Sequence, residues 1–124
     1  MPTQLSKQVE IPYNRQVTLE GVGPKGKKFS YTEDARTAYK EATDTISTLD
    51  SVISDLGESK GTLPGRLKEH DVSTAVKADI IAKAKVYEKG GMNAEEAGIF
   101  AVKDALGEWQ ATHKSVLDQL GIKP

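Results

Sequence analysis

Gly21-Val22-Gly23-Pro24-Lys25-Gly26-Lys27-Lys28 reads in two incompatible ways, and the choice between them decides the fold. Gly21, Gly23 and Gly26 satisfy the G-x-G-x-x-G spacing of dinucleotide folds, and Gly21, Gly26 and Lys27 satisfy all but the last position of G-x-x-x-x-G-K-[ST]. Such a loop binds phosphate because backbone amides converge on the anion where a helix begins, so a helix has to start at the last glycine. Here Gly26 is followed by Lys27-Lys28-Phe29-Ser30-Tyr31, an extended pattern, and Lys28 stands where the magnesium-binding Ser or Thr belongs. No acidic residue on a second strand fills the ribose-binding role, because Glu41 and Asp44 fall in a helical pattern. Gly23, Pro24 and Gly26 are turn formers, and Lys25, Lys27 and Lys28 keep an exposed tip in water. The stretch is expected to be the turn of a hairpin.

Working outward from that turn, Gln16-Val17-Thr18-Leu19-Glu20 alternates apolar and polar residues, as does Gln8-Val9-Glu10-Ile11 before the turn-like Pro12-Tyr13-Asn14-Arg15. Lys28 to Tyr31 is expected to pair back on the strand that ends near Val22. On the C-terminal side the period changes to that of a helix. Thr32 is the expected N-cap, with Glu33 and Asp34 at the positive end of the helix dipole. Tyr39, Ala42, Ile46, Leu49, Ile53 and Leu56 then recur at spacings of three and four, with Val52 beside them and Gly57 as the expected stop.

Residues 57–65 have loop composition, and Arg66 to His70 suggests one short helical turn. A second helix is expected from about Val72 to Lys89, capped by Asp71 or Ser73 and ended by Gly90-Gly91. In the third, Asn93 and Glu96 have capping-box spacing. The seam of that helix runs Ile99, Val102, Leu106, Trp109, His113, Val116, Leu120, and Phe100, Ala105 and Leu117 widen it until Gly121. The expected fold is mainly α, of the α+β type. It is a three-helix bundle-like arrangement with two long amphipathic helices and a small N-terminal antiparallel β-hairpin. The helices cover about 32–56, 72–89 and 94–120 in a single domain of 124 residues, with residues 1–31 as hairpin and 32–124 as helical region.

Composition narrows the functional classes. Seventeen Lys plus Arg against eighteen Asp plus Glu leave a net charge of −1, so no overall field attracts nucleic acid or an anionic membrane. Locally, residues 1–31 hold five bases and two acids, and residues 33–56 hold two bases and six acids. There is no cysteine, hence no disulfide, thiolate metal site or Cys nucleophile. No run of residues is apolar enough for a signal peptide or a membrane span, which points to a cytoplasmic or intravirion protein. His113 lies within the third seam, where one satisfied ring nitrogen is expected, and its nearest carboxylates, Glu108 and Asp118, stand five positions away, off its helical face. His70, between Glu69 and Asp71, reads as an exposed loop residue. Neither histidine suggests a metal site. No catalytic, cofactor-binding or small-molecule site is expected.

The long 3,4 seams exceed what a thin core needs, which favours a non-enzymatic protein–protein interaction module. The alanine-rich helical half has the style of small phage-encoded and assembly proteins, so the expected role is a subunit of a larger, virion-like assembly. A protein partner or a homo-oligomer would be engaged through Leu106, Trp109, His113, Val116 and Leu120, with Trp109 as the anchor. The alternative is a small regulator or inhibitor that touches a nucleic-acid machine, or nucleic acid itself, through Lys25, Lys27 and Lys28.

Overall fold

The computed structural model describes residues 11, 15–22 and 28–122. The hairpin strands are β1 (Gln16–Val22) and β2 (Lys28–Asp34), antiparallel, with a register from Gln16↔Asp34 to Val22↔Lys28. From Lys28 onward the chain is strand, so no helix starts where a phosphate loop would need one. The turn tip itself, with Lys25 and Lys27, lies outside the described residues, as does the expected segment from Gln8 to Glu10.

Among the described residues four helices follow: α1 (Ala35–Gly57), α2 (Leu63–Glu69), α3 (Thr74–Lys89) and α4 (Ala94–Leu120). The mainly helical architecture with one small antiparallel sheet is the expected one, and α2 is a full short helix rather than a single turn. The start of α1 needs correction. Thr32 is not its N-cap but pairs with Thr18 inside the sheet, and Asp34 takes the capping role: its Oδ2 accepts the Thr37 amide at 3.2 Å. The strand runs on through Thr32 to Asp34, and the helix begins three residues after Thr32. The Ala35 amide donates to the Arg15 carbonyl at 2.7 Å, which ties the first turn of α1 to the residue before β1. The other starts follow local chemistry. Thr62 Oγ1 accepts from Gly65, Ser73 Oγ from Val76 and Asn93 Oδ1 from Glu96, the last at 2.8 Å.

All four helices end in one motif, in which the amide two residues past the cap reaches back to the carbonyl five positions earlier. The bonds are Lys60 to Asp55 at 2.8 Å, Val72 to Leu67 at 3.2 Å, Met92 to Tyr87 at 3.1 Å and Ile122 to Leu117 at 2.9 Å. Each motif requires a left-handed residue just before that donor, and two of the four are not glycine: Ser59 at φ 59° and Asp71 at φ 55°. Gly57, the expected stop, is the last residue of α1, and the left-handed turn falls on Ser59.

The chain divides into two compact units. The helical unit spans Asp44–Gln110. Its core joins Leu49, Val52 and Leu56 of α1 and Leu67 of α2 to Ile80 and Ala84 of α3, and Ala101, Val102 and Ala105 of α4 complete it. In this stretch of α4 the buried positions are Ala97, Gly98, Ala101, Val102 and Ala105. At about 100° per residue their centre is rotated roughly a quarter turn from the expected seam of Ile99, Val102, Leu106 and Trp109. Alanine and glycine let neighbouring elements come close, and larger side chains move to the flank. A Cβ at Gly98 would lie 3.4 Å from Leu63 Cβ. Phe100, expected to widen the inward stripe, is 42% exposed.

The sheet unit comprises Met1–Thr43 and Ala111–Pro124. Val17 and Leu19 of β1 are buried, as their alternation with exposed Gln16, Thr18 and Glu20 predicts, and they cluster with Ile11, Ala35, Ala38 and Val116. The expected seam is the buried one here, with Val116 and Leu117 inside and His113 and Leu120 half-buried.

Because Ser59 carries a side chain through a conformation that disfavours one, Ser59→Gly should raise unfolding free energy by about 0.5–1 kcal/mol. Urea denaturation is the measurement, with the midpoint moving up and the slope unchanged.

Candidate functional site

Among the described residues no group of three or more His, Cys, Asp or Glu side chains is placed to hold a metal ion. Among the same residues no helix is long and apolar enough to cross a membrane. What remains are polar clusters and the side chains around them.

In the helical unit, α3 and α4 carry a polar ladder. Asp79, Lys83 and Tyr87 stand four apart on α3. Lys83 Nζ reaches Asp79 at 2.7 Å and Glu108 of α4 at 3.4 Å, and the Tyr87 hydroxyl donates to Asp104 of α4. Burial works against the Lys83 ammonium, but the hydrogen bond and charge of Asp79, with Glu108, outweigh it and raise its pKa above the ordinary lysine value. The Asp104 hydrogen bond, followed by burial, raises that of Tyr87. Beside this ladder the Tyr87 and Phe100 rings lie 5.8 Å apart, and Lys103 Nζ stands 5.8 Å from the Phe100 centroid. Val86, next in the chain to Tyr87, is 69% exposed.

A second cluster joins α1 to α2. Asp55 Oδ2 lies 2.6 Å from His70 Nε2 and 3.7 Å from Arg66, which bonds Glu69 at 2.6 Å. His70, expected in an exposed loop, is half-buried at the C-terminus of α2 and bound to a carboxylate fifteen residues away. The hydrogen bond from His70, followed by the charges of His70 and Arg66, holds the Asp55 carboxyl below the ordinary aspartate range.

In the sheet unit the register places Tyr31 opposite Leu19 and Glu33 opposite Val17, so both point to the apolar side of the hairpin. Glu33 Oε2 is buried there with no hydrogen-bond partner. Burial, then the charges of Glu41 and Asp34, raise the Glu33 pKa. The His113 ring packs 5.1 Å from that of Tyr39 and its Nε2 is buried without a partner, so this nitrogen is not the satisfied one expected from the seam.

The five seam residues singled out as a contact surface fall into different surroundings. Leu106 and Trp109 pack against the helical core and remain partly exposed. Val116 is fully buried in the sheet unit, while His113 and Leu120 lie half-buried there. Of the three candidate lysines only Lys28 is among the described residues, as the first residue of β2. The Phe100–Tyr87 pair and the Asp55–His70 contact were missed by sequence reasoning. The spacing of Asp79, Lys83 and Tyr87 was the one legible signal, since i,i+4 positions share a helical face.

Comparison with known proteins adds no relative: no protein-family model matches the chain, and no curated protein or solved structure matches it significantly.

Asp55 and Glu33 titrate in opposite senses. The lowered Asp55 pKa adds stability that is present at neutral pH and lost as pH falls below about 4, through its folded value. Asp55→Asn should therefore lower the urea midpoint at pH 7 and flatten the acid limb of the stability curve. The raised Glu33 pKa means that the ionised form costs stability at neutral pH, a cost that disappears below about pH 4. Glu33→Gln should raise the midpoint at pH 7 and leave it unchanged at pH 3; a loss at pH 7 would contradict the burial of that oxygen.

Proposed function

We infer that this protein is a non-enzymatic binding module whose ligand is another protein chain. The observation that carries this reading is the exposure of Val86 and Phe100 on α3 and α4 while the core of the same unit relies on alanine. Burying a phenylalanine or valine is worth about 1.5–3 kcal/mol, so a unit with so thin a core gives up stabilisation by leaving them in water. The Tyr87–Phe100 pair, with Lys103 beside the Phe100 ring and Asp104 bound to the Tyr87 hydroxyl, has the composition of a contact patch, apolar centre and charged edge, and Val86 adds exposed apolar surface one position along α3. Leu106 and Trp109, half-covered on the flank of α4, extend the apolar part of that unit's surface. A subunit of a larger assembly is one role that such a patch would serve.

The test is a paired measurement on the wild type and a Val86→Glu/Phe100→Glu variant. Sedimentation velocity and affinity capture from the native host should give a complex for the wild type and at least a tenfold weaker one for the variant. Because neither side chain is in the core, the thermal midpoint should stay within about 2 °C, the scale of a surface change under 0.5 kcal/mol. A wild-type chain that sediments as a monomer of 13.4 kDa and captures nothing would overturn the reading.

A further inference from the structure

Among the described residues, the outer edge of β1 is met at Thr18 by the side chain of Gln119. Gln119, in the last turn of α4, accepts from the Thr18 amide through Oε1 at 2.8 Å and donates from Nε2 to the Thr18 carbonyl at 2.7 Å. Its Nε2 is steadied by Ser115 Oγ at 3.1 Å, and Arg15 reaches the Gln119 carbonyl at 3.4 Å. In an antiparallel ladder, two facing residues of a hydrogen-bonded pair exchange both N–H···O bonds. A carboxamide is the side-chain counterpart of a peptide group, and on Thr18 it makes both of the bonds that a facing strand residue would make. The chemistry that fits this edge is therefore extended backbone, with Gln119 as its internal stand-in.

We propose that a second copy of this chain displaces Gln119 and pairs its own β1 antiparallel to the first, about a twofold axis at Thr18, so that two hairpins become one four-stranded sheet. The register carries the choice of occupant. With Thr18 opposite Thr18, Gln16 faces Glu20 of the other copy and Val17 faces Leu19, so no like charges are opposed and the buried face of each strand meets apolar residues. The contact is self-complementary and closes at two copies. Among the described residues the sheet has two strands, and the outer groups of Gln16 and Glu20 lie on the same side as Thr18 by alternation. Gln119 is itself exposed and reaches the edge by a single flexible side chain, which makes it displaceable. The proposal uses none of the residues of the binding reading above, Val86 and Phe100, so either can fail without the other.

The experiment measures the monomer–dimer constant of the full chain by sedimentation equilibrium. Gln119→Ala removes the competitor and should tighten self-association at least tenfold over the wild type. Adding Thr18→Pro should abolish it, because proline deletes the outward N–H and leaves the β1–β2 ladder its own bonds. In a mixed-label sample of Gln119→Ala, NMR should show Hα–Hα contact between Val17 of one copy and Leu19 of the other. Should Gln119→Ala fail to fold, Gln119→Glu replaces it, keeping the size but losing the donor to the Thr18 carbonyl, with the same direction of change expected. An unchanged constant in the folded variant, or a dimer that survives Thr18→Pro, would overturn the proposal.

Discussion

Small side chains on the buried face of α4 are the constraint from which the helical unit follows. Ala97, Ala101 and Ala105 repeat every four residues with Gly98 beside them, so the surface they form is low and nearly featureless. Protein interiors are packed to crystal density, and a low surface can be filled only if the opposing elements approach closely. Leu49, Val52, Leu56, Leu67 and Ile80 supply the volume that the alanines lack. At Gly98 even a methyl group would sit at the limit of contact with Leu63. The same constraint turns Leu106 and Trp109 to the flank and Phe100 outward, so the packing rule that builds the core also sets what the surface offers.

Helix termination rests on backbone geometry as much as on residue type. One hydrogen-bonding motif ends each of the four described helices, and it satisfies carbonyls that would otherwise be orphaned. Its recurrence means that Ser59 and Asp71 adopt left-handed conformations which two further carbonyl bonds each must offset. At α2 the motif also buries its own contact, because Val72 and Leu67 both belong to the core cluster.

The sheet unit solves a different problem. Two strands alone are marginal in water, and each leaves an edge of unpaired backbone. Buried Val17 and Leu19 dock the hairpin on Ala35, Ala38 and Val116, and Gln119 closes the edge at Thr18. The docking has an electrostatic cost, since the register that turns Val17 inward puts Glu33 on the same side, where its Oε2 is buried without a partner. Asp55 and His70 show the opposite arrangement, a carboxylate given a donor and kept ionised.

Periodicity along the chain was enough to establish the hairpin, the long helices and most of their starts, because alternation at two and recurrence at 3.6 are local properties that each segment carries with it. Ser73, Asn93, Gly91 and Gly121 could be assigned from residue chemistry at the helix ends for the same reason. The start of α1 could not, because Thr32 and Asp34 are both good caps and only pairing with Thr18 decides between them. Nor could the buried sector of α4, since a stripe containing alanine and leucine permits several rotations and the neighbours select one. Asp55 with His70, Tyr87 with Phe100 and Gln119 with Thr18 are contacts across 15, 13 and 101 residues, and no local pattern records which distant group a side chain will meet. Local preference fixes the elements; which face each one buries, and which polar group finds a partner, is decided when the whole chain closes on itself.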